Sequence, residues 1–145
     1  PLYSSAASDV YKRQMEGGEP NDRFSSYWDD DTEMTYPLIL AKIPVKNPWE
    51  IFAYLPFGNW NDCPDTPELM AAAKYWFQQH GAIPAAMSHD ELEFELPTPI
   101  SKERAMEVAV EQYGFCPDLD QNEDGSIGSL ADVLWQSTVW YFWWD

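Results

Sequence analysis

The sequence predicts an α+β fold, a mostly antiparallel sheet of about four strands with helices packed on one face. Three observations carry that expectation. Leu92, Phe94 and Leu96 alternate with Glu91, Glu93 and Glu95, the period-two pattern of a strand with one apolar side. Leu69, Ala72, Ala73 and Trp76 recur at i, i+3, i+4 and i+7, the period of a helix with one buried stripe. The elements then follow one another as strand, two helices, two strands, two helices and strand, an order that suits such a sheet.

Taken in order, Pro1 to Gln14 looks like translated adaptor read-through from assembled sequencing data, so residues 1–14 are set aside as an artefact and Met15 is taken as the start. Residues 15–36 are Gly, Pro, Ser and acid, including Asp29-Asp30-Asp31-Thr32-Glu33, with no sustained apolar period. They read as an acidic flexible leader whose Tyr27 and Trp28 are candidates to dock on the domain. A single α+β domain is expected over 37–145.

Within it, Leu38-Ile39-Leu40-Ala41-Lys42-Ile43 is apolar enough for a buried strand, stopped by Pro44. Asn47-Pro48-Trp49-Glu50 has the cap, first-turn proline and acid of a short helix start, and the helix ends before Pro56. A second helix starts at Thr66-Pro67-Glu68 and ends at Gly81. Strands over 82–87 and 91–96 flank the turn Ser88-His89-Asp90, and the glutamate face of the latter is expected to meet water. After the break at Pro97-Thr98-Pro99, Ser101 caps a helix with Met106, Ala109, Val110 and Tyr113 on one side and Glu103, Glu107 and Glu111 on another, stopped by Gly114. Ser126 starts the last helix, with Ile127, Leu130, Ala131 and Leu134 on one face. The closing run Val139-Trp140-Tyr141-Phe142-Trp143-Trp144-Asp145 is a strand apolar on both faces, expected to be central or covered.

At 145 residues the chain is on the scale of one domain, and 45% hydrophobic residues, among them 8 Trp, supply the apolar area of a core. Acids outnumber bases 25 to 8, for a formal charge of −17, which repels phosphate backbones and anionic lipid head groups. No nucleic acid and no membrane surface is expected as a partner. The partner such charge fits is a basic protein, while its plainest use is solubility. Two cysteines are too few for a disulfide framework, and no secretory signal pattern or apolar run of the roughly 20 residues that span a bilayer occurs, so a cytoplasmic protein is expected.

Four segments together, Asn47-Pro48-Trp49-Glu50, Gly58-Asn59-Trp60-Asn61-Asp62-Cys63-Pro64, Glu111-Gln112-Tyr113-Gly114-Phe115-Cys116-Pro117-Asp118 and Trp140-Tyr141-Phe142-Trp143-Trp144-Asp145, resemble the bacterial family known as domain of unknown function 4253. The resemblance covers roughly 38–145. It implies a domain and its boundaries and carries no activity with it. This chain departs from the family pattern in being more acidic over 119–124, where the family resembles Asp-Gln-Gly after Cys-Pro-Asp.

Asp120-Gln121-Asn122-Glu123-Asp124-Gly125-Ser126-Ile127 fits the first eight positions of a calcium loop, making Asp120, Asn122 and Asp124 weak calcium candidates. The twelfth position, however, is Ala131 rather than a bidentate acid, and Pro117 breaks the entering helix, so an Asp-Gly turn feeding a Ser126 cap accounts for the same letters. Cys63, Cys116, His80 and His89 lack the close pairing of a zinc site, and no metal or other cofactor is expected. Ser88-His89-Asp90 holds the letters of a catalytic triad, but contiguous residues project in different directions, and it reads as a turn. His80 suits the last turn of a helix.

The remaining constellation is a candidate pocket of Trp60, Asn61, Asp62, Cys63, Cys116, Asp118, Trp143 and Asp145, where ring faces and carboxylates would meet a cationic or sugar-like ligand. Its plain alternative is that the tryptophans close a core and the acids cap loops. Function is therefore expected to be that of a non-enzymatic interaction domain, an acidic inhibitor or immunity-type protein for a basic partner. The alternative is a small ligand-binding domain or hydrolase using Asp62, Asp118 or Asp145.

Overall fold

The computed structural model describes residues 14–29, 31–121 and 126–145. The architecture is α+β and falls into two units: Arg23–Pro97 with Val139–Asp145, and the described residues up to Asp22 with Thr98–Thr138.

The first unit holds all the strands found among the described residues. Strands β1 (Trp28–Asp29) and β2 (Met34–Thr35) form a short antiparallel hairpin. Strands β3 (Ile83–Met87), β4 (Glu91–Glu95) and β5 (Val139–Trp143) form an antiparallel sheet in that order, with a register shift between Pro84 and Ala86. Leu92 pairs with Phe142 and Phe94 with Trp140, which puts four large apolar side chains on one face. Among the described residues the last strand is at an edge of this sheet, and with Val139, Trp140 and Phe142 buried it is covered rather than central.

Helix α1 (Thr66–His80) covers that face. Its cap is Asp65, one residue before the expected start: the Asp65 carboxylate accepts from Glu68 N–H at 3.0 Å, and Glu68 accepts from Asp65 N–H at 3.1 Å. Gly81, at φ 73°, ends it in the left-handed conformation. Leu69, Ala73 and Trp76 form its buried stripe. The Trp76 ring stacks on Phe142 at 5.2 Å and meets Phe94 and Trp140 edge-on at 5.5 and 5.7 Å. Upstream, the short helix expected before Pro56 is a 3-10 helix, Pro48–Ala53. Glu50 closes its start by accepting from the Asn47 side chain at 2.7 Å and from Lys46 N–H at 3.1 Å, and these bonds hold its carboxyl below the usual range. Phe52 is the buried side chain of the turn.

Two expectations fail in this unit. Residues 38–43 form no strand: Ile39 and Leu40 are fully exposed, and Leu38 is 60% exposed. An apolar run becomes a strand only where another strand completes its hydrogen bonds, and Pro37 and Pro44 bracket this one. Nor is the glutamate face of β4 wet throughout. Glu95 is exposed and Glu91 half-buried, but Glu93 is 0% exposed because residues from the acidic stretch before the domain cover it.

The second unit is helical. Helix α2 (Lys102–Phe115) packs on helix α3 (Ile127–Leu134), and a 3-10 turn, Pro117–Gln121, follows α2. The buried side of α2 is Ala105, Val108, Ala109 and Gln112, rotated from the expected stripe: Val110 is 51% exposed, while Met106 and Tyr113 are half-buried. Two of the four buried residues are alanines, and small residues let packed helices approach closely. Ser126 Oγ caps α3 by accepting from Ser129 N–H at 3.0 Å. A strap before Arg23 runs along the end of α3, where Gly18 N–H donates to Asp132 at 3.0 Å and Asn21 N–H to Ser137 Oγ at 2.8 Å. A Cβ on Gly18 would lie 2.5 Å from Val133 N, so only glycine fits.

Gly114 does not stop α2 but lies inside it, and a Cβ there would meet nothing within 4 Å. Replacing a helical glycine with alanine removes backbone freedom from the unfolded chain. Gly114→Ala is expected to stabilise by about 0.5–1 kcal/mol, read as a higher urea midpoint at unchanged slope. A lower midpoint would contradict the open space seen beside it.

Candidate functional site

In the sheet unit the expected site residues lie on a loop, a strand end and a turn. The loop begins at Gly58, whose φ of 81° and 2.1 Å approach of a would-be Cβ to the Pro64 carbonyl exclude any side chain. Asn59 and Asn61 also take left-handed conformations, which asparagine tolerates better than most residues. Cys63 N–H donates to the Trp60 carbonyl at 2.8 Å and Asn59 N–H to that of Pro64 at 3.0 Å, closing the loop on itself. Cys63 is buried inside it, while Asn61 and Asp62 project outward and Trp60 is half-buried.

Aromatic contacts continue from the loop to the end of the last strand. Phe57 meets Trp60 at 5.1 Å and Trp144 at 5.8 Å, both edge-on, and Trp144 stacks at 6.1 Å on Phe142. The Asn61 side-chain amide donates to the Asp145 backbone carbonyl. Trp143 Nε1 donates to the Asp90 carboxylate at 3.2 Å, and Trp144 N–H donates to the Asp90 carbonyl at 3.2 Å. His89 lies against the Trp60 ring at 5.8 Å.

The structure thus gathers Trp60, Asn61, Trp143 and Asp145 about the turn before β4, with Asp62 exposed on the same loop. Cys116, buried at the end of α2, and half-buried Asp118 in the turn after it belong to the helical unit. Asn122, Asp124 and the Asp120 side chain lie outside the described residues. Phe57, His89 and Asp90 are additions to the expected set. Their signal was indirect: antiparallel pairing of residues 91–95 with 139–143 places Asp90 beside the end of β5.

Ser88-His89-Asp90 does form the turn. The Ser88 hydroxyl donates to Glu91 at 2.8 Å and accepts from Glu91 N–H at 3.2 Å, while the His89 ring lies tilted against Trp60 at 5.8 Å, so the serine proton is committed to Glu91 rather than to His89. Across the strand, Tyr141 donates to Glu91 at 2.7 Å. Burial, then the hydrogen bond to Glu91 and its charge, push the Tyr141 phenol well above its ordinary range, so it remains a donor at neutral pH. Its raised folded pKa favours the native state below the unfolded phenol's value of about 10, and that contribution is lost as pH rises beyond it. Among the described residues no group of three or more His, Cys, Asp or Glu is arranged to hold a metal ion.

These features define an α+β domain with an aromatic and carboxylate rim at one end of a small sheet. Residues 39–145 match the family described as Domain of unknown function (DUF4253), and the chain belongs to that family. No curated protein matches the chain, and no solved structure matches it. Among the described residues no helix is long and apolar enough to cross a membrane.

Proposed function

We propose that the chain is a non-enzymatic interaction domain of the bacterial cytoplasm, an acidic inhibitor or immunity-type protein that neutralises a basic protein partner. The observation that carries this reading is the formal charge of −17, with Asp62, Glu68, Glu95, Glu103, Glu107 and Asp145 exposed. Opposed charge steers encounter and sets specificity across an interface. The chain immobilised at low ionic strength should retain basic proteins, and rising salt should release them as screening shortens the reach of the charges. Recovery of nothing, or of acidic proteins as readily as basic ones, would overturn it.

A second reading, a small cationic or sugar-like ligand on the rim or hydrolysis there, is favoured by the contacts that hold Trp60 and Asn61 beside His89 and Asp145. Ligand-induced quenching of tryptophan fluorescence that Asp62→Ala abolishes would favour it over the first.

A further inference from the structure

We propose that the face of β4 around Glu93 is a docking surface for an extended, hydroxyl-bearing segment of another protein, and that residues 23–29 of this chain hold it shut. Glu93 is completely buried, and each carboxylate oxygen accepts two hydrogen bonds from this segment. Ser25 donates its N–H at 2.8 Å and its hydroxyl at 3.1 Å to one oxygen. Ser26 donates its N–H at 3.2 Å and its hydroxyl at 2.5 Å to the other. A buried carboxylate is tolerated only when its acceptors are filled. Here two consecutive serines, 67 and 68 residues away in sequence, fill them.

Those serines act as a bound peptide would. Their segment lies outside residues 39–145, the part matched to the family, whereas Glu93 lies within it. The segment ends with β1, whose hairpin with β2 has strands of two residues each. Beside Glu93, the opposed Tyr141 and the next same-face residue of β5, Trp143, are half-buried, offering aromatic surface to whatever lies on this face. The occupant's chemistry is visible in the molecule itself: two adjacent hydroxyls and their amides, which another Ser-Ser or Ser-Thr segment also supplies. Recognition would combine backbone donors, which give affinity, with hydroxyls, which give selectivity. An attached occupant competes with an incoming one and lowers the apparent affinity by the fraction of time the face is covered.

The full-length chain and its Ser25→Ala/Ser26→Ala variant can be titrated with a labelled peptide of residues 23–29 and with the same peptide carrying Ala-Ala for Ser-Ser. Arg23 and Asp29 cancel in this peptide, so its failure would leave the reading based on net charge untouched. The variant should bind the Ser-Ser peptide about tenfold or more tightly than the native chain does, and the Ala-Ala peptide should bind neither. Hydrogen exchange should quicken over residues 23–29 of the variant while β4 and β5 stay protected. Equal binding of both peptides, or unchanged exchange over 23–29, would overturn the proposal. Should the variant fail to fold, excess Ser-Ser peptide added to the native chain must still quicken exchange at residues 23–29, and no change there would be equally fatal.

Discussion

Trp76→Ala is expected to remove about 3–5 kcal/mol of stability, a large share of the roughly 5–15 kcal/mol that holds a typical domain folded. Trp76 is 2% exposed and is the one side chain of α1 in ring contact with Phe94, Trp140 and Phe142 together. Its removal deletes a large apolar surface and leaves a void lined by three rings that β4 and β5 hold in place, so the site cannot readily collapse. Each aromatic pair adds about 0.5–1.5 kcal/mol beyond its area. Trp76→Phe, keeping one ring in the same space, should cost clearly less than Trp76→Ala. Urea unfolding followed by near-ultraviolet circular dichroism measures both. A loss below about 1.5 kcal/mol for Trp76→Ala would mean that the aromatic cluster does not hold helix to sheet.

That cluster was legible in the sequence because its information is local. The spacing of Leu69, Ala73 and Trp76 marks the inner side of α1, and the alternation of Leu92 and Phe94 marks the inner side of β4. Gly81 marks the helix end through a conformation that glycine adopts freely. What depends on distant partners was not legible. Residues 38–43 carry a strand's composition, yet they gain nothing from an extended conformation without a neighbouring strand, and β3, β4 and β5 pair without them. The inner side of α2 was read correctly at Ala109 but misplaced around it, because Ala105 carries little hydrophobic signal and Gln112 is polar, while Val110, which carries more, is exposed.

The candidate site divides along the same line. Gly58, Asn59 and Asn61 signal a tight loop by residue type, whereas the bond from Asn61 to Asp145 spans 84 positions. The expected pocket joined the loop around Cys63 with the segment around Cys116 on residue type alone. Cys63 lies in a loop of the sheet unit, and Cys116 at a helix end in the helical unit. Alternation also assigned three glutamates to one wet face without registering that Ser25 and Ser26 return to cover the middle one.

Glu93→Gln should therefore destabilise the chain by about 2–4 kcal/mol, although it preserves size and shape, whereas Glu95→Gln on the same strand face should stay within about 0.5 kcal/mol. The contrast follows from burial. Glu95 is exposed, and water replaces whatever its carboxylate loses. At Glu93 both oxygens accept two bonds each, so either orientation of a glutamine amide turns its N–H groups toward a serine N–H and hydroxyl. The hydroxyl can rotate away, but the backbone N–H cannot, and a donor facing a donor at a fully buried side chain leaves both unsatisfied. Ser26→Ala removes one of the four donors and should cost less alone. Combined with Glu93→Gln, it should cost less than the two effects added, because the second change removes a bond the first has already weakened. Strict additivity, or equal losses at positions 93 and 95, would show that the buried carboxylate is not what fixes residues 23–29 to the sheet.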